Sequence, residues 1–210
     1  MLIGIGMGIG GRGGASGDTR TLTFVAGGGS SAATTAPSGI AAGDALLGIV
    51  LKTTTSAPTL DTTVGWNSLG SFSSNSTSAI VFWKYAESST PAFGTHTGGT
   101  RCQWWAYRFS DPPVAPFGTP IRASGAASLI MGWAGLTLAK LQSHVATIGH
   151  RNADDPLAQR PDALQVQAPV GATSRYAFMR SNGAVSSWPA MDLAQAVSGV
   201  HQSIAVEVGY

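Results

Sequence analysis

The sequence predicts an all-β fold: an antiparallel β-sandwich of jelly-roll type with an extended N-terminal arm. Three observations carry that expectation. Short runs of β-branched and aromatic residues recur along the chain, divided by Gly, Pro, Asn, Asp and Ser, the pattern of sandwiches and barrels rather than of alternating β and α units. Hydrophobic residues reach 43% while charged residues stop at 10%, which is too apolar for a disordered chain. Helical periodicity is thin, confined to a turn or two at Met191 to Val197 and an ambiguous stretch from Leu136 to Leu141.

The arm comes first. Ile3, Ile5, Met7 and Ile9 alternate with Gly4, Gly6, Gly8 and Gly10, so at strand spacing one side is apolar and the other is bare backbone. A strand half made of glycine orders poorly by itself. Those eight residues are therefore expected to dock against a neighbouring chain, the glycine face allowing close backbone approach and the Ile/Met face filling an apolar groove. The organisation predicted is a docking arm over residues 1–20 and one sandwich domain over residues 21–210.

Arg12 to Asp18 reads as a Gly/Ser turn segment, followed by a first strand at Thr21 to Ala26. Further strands are predicted at Ala45 to Leu51, Gly65 to Phe72, Ser78 to Ala86, Arg101 to Phe109 and Ala127 to Trp133. Four more follow at Ser143 to Ile148, Ala163 to Ala168, Ser174 to Arg180 and Ser203 to Val208. Two of these runs are apolar on both faces. Val81, Trp83 and Tyr85 oppose Ile80 and Phe82, and Trp105, Tyr107 and Phe109 oppose Cys102, Trp104 and Ala106, so both strands should be covered on both sides. Ser203 to Val208 sets Ile204, Val206 and Val208 against Ser203 and Glu207, which predicts one wet face and an outer position. No repeat of fixed period is found, against a solenoid or propeller.

Composition narrows the function. Net charge is +2 and the basic residues are thinly spread, so no nucleic-acid surface is expected. No apolar run reaches the roughly 18 residues of a membrane helix, and the N-terminus lacks the basic segment of a signal peptide. Gly6, Gly8 and Gly11 fit the dinucleotide fingerprint in letters only, because neither a preceding strand nor a following helix frames them. No cofactor and no metal is expected. His144, His150, Asp154 and Asp155 are the densest cluster of titratable groups, but their spacing matches no ligand motif and Asp154-Asp155-Pro156 reads as a turn. No nucleophile elbow is present, so the chain is read as non-enzymatic; the enzymatic rival is a depolymerase or esterase acting through His150 with Asp154 or Asp155. Trp66, Trp105 and Trp188 lie near turn signals or opposite the inferred inner face, which makes them the candidates for stacking on a glycan.

From Gly39-Ile40 to Leu47 the chain reads GIAAGDALL, then GWNSL from Gly65 to Leu69, then FWKYAESSTPAF ending at Phe93 and WWAYRFSD from Trp104. In that order these elements resemble small β-sandwich proteins from the structural modules of tailed bacteriophages and prophages, across the first half of the chain more than the second. The Gly/Ile arm resembles the docking ends of such proteins. The resemblance implies a virion component of the tail tip, a fibre or the capsid decoration. Its expected partners are other virion proteins and copies of itself, with host surface polysaccharide for a fibre tip. It brings no catalytic residues.

Overall fold

The computed structural model describes residues 19–30, 38–52, 55–74, 77–94, 96, 101–152, 157–166 and 176–210. The arm residues Ile3, Gly4, Ile5, Gly6, Met7, Gly8, Ile9 and Gly10, and the pair Asp154 and Asp155, lie outside them. Ten strands make two antiparallel five-stranded sheets. The first holds β1 (Leu22–Ser30), β2 (Ala45–Lys52), β3 (Asn67–Ser74), β4 (Thr77–Tyr85) and β5 (Arg101–Phe109) in the order β1-β5-β2-β4-β3. The second holds β6 (Ile121–Trp133), β7 (His144–Asn152), β8 (Ala163–Gln165), β9 (Tyr176–Ser181) and β10 (Met191–Val208) in the order β6-β10-β7-β9-β8.

The sandwich is the expected one, but its connectivity is not that of a jelly roll, in which Greek keys share the strands between the sheets. Here each half of the chain completes one sheet, and the second half repeats the strand order of the first. In both halves the last strand inserts between the first and the second. Gly48 on β2 and Gly149 on β7 occupy matching places, opposite Trp104 and Ser203, and so do Gln103 on β5 and Gln202 on β10, opposite Ile49 and His150. The repeat is one of topology, with few identities to betray it in the sequence.

The main core lies between the sheets, where Leu47, Ile49, Val81 and Trp105 of the first meet Ile148, Ile204 and Val206 of the second. Neither sheet has a bare outer face. Trp66 and Phe93, from the connections flanking β3 and β4, cover Phe82 and Trp104 on the first. On the second, β6 and β10 run on past the end of β7, shift register between Ala194 and Gly199, and bring Met131 and Trp133 over Ala177 and Met179. Met191 to Val197 is thus strand, because its pairing with Trp133 to Ile130 overrides a weak helical pattern.

β10 also corrects the expectation of an outer, half-wet strand. It is flanked by β6 and β7, and His201 to Val208 are buried throughout. Ser203 is dry because its hydroxyl donates to the Gly132 carbonyl at 3.0 Å and accepts from the Ala134 amide at 2.7 Å.

Each outer cover holds a cation against a tryptophan. Lys84 Nζ sits 5.0 Å from the Trp66 ring, donating to the Val64 carbonyl at 2.9 Å and to the Ala92 carbonyl at 2.5 Å, with Glu87 at 3.1 Å. The Arg160 guanidinium lies 4.1 Å from the Trp188 ring and grips both oxygens of Asp162. Both cations are buried, and this is tolerable because their donors meet carbonyls and carboxylates as well as ring faces. The GIAAGD element is a clamp: Gly39 and Gly43 take positive φ, while Asp44 receives two hydrogen bonds from Arg108 and one from the Ala41 amide.

A Cβ at Gly48 would overlap the Phe82 ring and one at Gly149 the Trp133 ring. Gly48→Ala and Gly149→Ala should each cost about 1–3 kcal/mol in denaturant unfolding. Gly70→Ala, which meets nothing within 4 Å, should stay within about 0.5 kcal/mol of the parent.

Candidate functional site

The three glycan candidates are all interior, which removes the exposure that role requires. Trp66 is 3% exposed, Trp105 0% and Trp188 2%. The Trp66 indole N–H donates to the Phe93 carbonyl at 2.9 Å and that of Trp105 to the Met179 carbonyl at 3.2 Å. Trp105 faces the main core rather than away from it. These rings pack and bridge, and none offers a free face to a sugar.

The histidine cluster separates as well. His144 and His150 point to the same side of β7 but six positions apart, about 20 Å along an extended strand. His150 stacks on Tyr176 at 4.6 Å, whereas His144 packs edge-on to Tyr107 at 6.1 Å. Among the described residues no group of three His, Cys, Asp or Glu could hold a metal ion.

A concave site among the described residues lies elsewhere, at the end of the sandwich where the chain's two described ends meet. A cleft of about 710 Å³ opens between the β5–β6 connection, the β6–β7 connection and the residues closing β10, walled by Phe117, Ile121, Leu136, Thr137 and Tyr210. The size is that of an ordinary ligand pocket. Glu207 also lines it.

Glu207 is 5% exposed, yet its carboxylate is well held: Oε1 accepts from the Ala139 and Lys140 amides at 2.8 Å each and from the Ser143 hydroxyl. No described Lys, Arg or His lies within ion-pair distance of it. Lys140 turns instead to the Ala115 carbonyl at 2.6 Å. Gly118 packs against the other side of Glu207, where a Cβ would stand 3.3 Å from Oε2. The walls are fixed by short backbone pairings. Gly118 N–H donates to the Glu207 carbonyl, Gly209 N–H to Pro116, and Leu141 and Tyr210 exchange both bonds. Tyr85, whose hydroxyl is pushed up to about 12 by burial and by neighbouring Tyr210, donates to the Pro113 carbonyl and steadies the outer wall.

Tyr210 joins the cleft to the start of β1. Its hydroxyl donates to the Thr21 carbonyl at 2.6 Å, Arg20 lies over its ring at 4.5 Å, and Gln142 donates to the Arg20 carbonyl. Arg20 and Thr21 therefore lie at the rim of this cleft. The signal for Glu207 in the sequence is its rarity and setting: it is one of two glutamates and stands in the apolar run Ile204 to Val208.

Protein-family models, curated proteins and solved structures were compared with the chain, and none matches.

Burial holds the imidazoles of His96, His144 and His201 below their ordinary value, with Arg180 adding to the effect at His144 and Arg151 at His201. The unfolded chain then binds more protons than the native one once the pH drops below about 6.5. Stability should be full above that point and fall as the pH moves down towards the depressed native values. Melting temperatures between pH 7.5 and 5 should decline, and His144→Gln should flatten the slope. Trp66→Ala and Trp105→Ala should each lower stability by about 3–5 kcal/mol in denaturant unfolding, while titration of the parent protein with polysaccharide should leave its tryptophan emission unchanged.

Proposed function

We propose that this chain is a non-enzymatic structural component of a bacteriophage particle, tail- or fibre-associated, held among its neighbours by the N-terminal arm. The observation that carries the reading is the union of a Gly/Ile-alternating segment with a sandwich that grips its root. Thr21 donates to Ser110 Oγ at 2.9 Å and accepts from Tyr210, and Arg20 is held by Tyr210 and Gln142. A pull on the arm is thereby passed into β1 and, across the pairing of Leu22 with Phe109, into β5.

Seating Ile3, Ile5, Met7 and Ile9 in an apolar groove would contribute about 1.5–3 kcal/mol for each side chain before ordering costs. A low charge content suits permanent contacts, where unpaired buried ions are expensive. Leu129, Ile130 and Val197 stand exposed about the register shift of the β6–β10 ribbon, a second apolar patch for a neighbour. The resemblance over residues 39–111 points the same way. Capsid decoration fits the same features and differs only in location on the particle.

Deleting residues 2–14 should leave melting and circular dichroism unchanged while the truncated chain is missing from assembled particles. Particles carrying it at full occupancy would overturn the proposal.

A further inference from the structure

We infer that the cleft at Glu207 is the receptor for the arm of a second copy of this chain, so that two copies exchange arms. The inference rests on the arm-docking reading above and names the surface on which the arm docks. Four observations converge. The cleft has apolar walls in Phe117, Ile121 and Leu136, which suit the Ile/Met edge, and a stretch of rim without a side chain at Gly118. Its buried carboxylate, Glu207, has no cation within ion-pair distance among the described residues. Arg12 stands three positions past the last Ile of the arm, and the other arginine of residues 1–20, Arg20, is already held against Tyr210; a guanidinium is the group that a fixed, partly satisfied carboxylate binds best.

The fourth is position. The arm departs at Arg20, against Tyr210 on the rim. A two-fold axis that faces one cleft towards its mate places each arm root beside the partner's cleft, and the contact is then self-complementary and closed. Met7 and Thr19 are twelve positions apart, about 40 Å when extended. Gly13, Gly14 and Gly17 supply the bend that a crossing needs. The arm would lie as an added extended segment between the 116–118 and 136–141 stretches, its Ile side chains inward and Arg12 over Glu207.

Full-length chains with one introduced cysteine each test this. Cys102 is buried and its thiol is pushed up to about 12 by desolvation, so it stays out of the exchange. One chain carries Met7→Cys, with Ile5→Cys and Ile9→Cys made alongside to cover a slip in register; the other carries Thr137→Cys on the exposed cleft rim. Mixed under mild oxidation, they should give a disulfide-linked heterodimer in severalfold excess over a pairing with Val197→Cys, which lies on the distant β6–β10 ribbon. Adding Arg12→Gln to the arm chain, which leaves the sandwich untouched, should cut that yield severalfold. A bond that forms only within a single chain carrying both Met7→Cys and Thr137→Cys, or none at all, overturns the inference. The docking reading is judged separately by sedimentation. Association that vanishes on deleting residues 2–14 without any cross-link at Thr137 keeps an arm that docks elsewhere, whereas association indifferent to the deletion sinks both.

Discussion

The structure depends on one constraint: each sheet has an inner strand, β2 in the first and the His201–Val208 stretch of β10 in the second, with no face open to solvent. Every residue from Ala45 to Leu51 is buried, and so is every residue from His201 to Val208. A sheet of that kind cannot stop at a two-layer sandwich, whose outer faces are usually solvated. It needs an apolar cover outside as well. The connections supply it, and they bring their polar backbone with them, which creates buried carbonyls at Val64, Ala92 and Pro189 that must find donors. Lys84 and Arg160 answer that need. Their burial follows from the covers rather than from any chemistry of their own, and the tryptophan under each cation makes the desolvation bearable.

The two halves solve the covering problem differently on the same topology. The first sheet is covered by the connections around β3 and β4, with Trp66 and Phe93 reaching inward. The second recruits its own β6–β10 ribbon, eighteen residues long on the β10 side against nine for β5, and lays Trp133 over Gly149. In both, the strand that completes the sheet comes last in its half and must insert between two strands already made. Pairings such as Leu22 with Phe109 and Ile121 with Ala205 span more than eighty residues, a high contact order that favours slow folding.

How legible this was depended on whether the deciding partner was local. Alternation separated Val81 from Phe82 and Trp105 from Trp104, because a strand's two faces are written in its own residues, but not which face turns inward: Trp105, expected away from the core, lies in it. All ten expected runs correspond to strands, their ends shifted by pairing. Strand order was not readable, since periodicity names faces and not neighbours. The errors have the same root. Ser203 and Glu207 looked wet because a lone Ser or Glu in an apolar run normally marks solvent, and what dries them are backbone amides and carbonyls more than sixty residues away. Trp66 and Trp188 looked exposed because they flank turns, and turns are usually at the surface, but here the turns are the lid.

That long-range logic also explains why the cleft sits where it does. Tyr210 and Thr21 are 189 positions apart yet share a hydrogen bond, so the start of the first sheet is tied to the last strand of the second. The same residue walls the cleft and holds Arg20 and Thr21, so the start of β1 and the cleft belong to one frame. A buried carboxylate held by two amides and a hydroxyl is itself preorganised, because the groups that fix Oε1 are already in place before anything reaches Oε2.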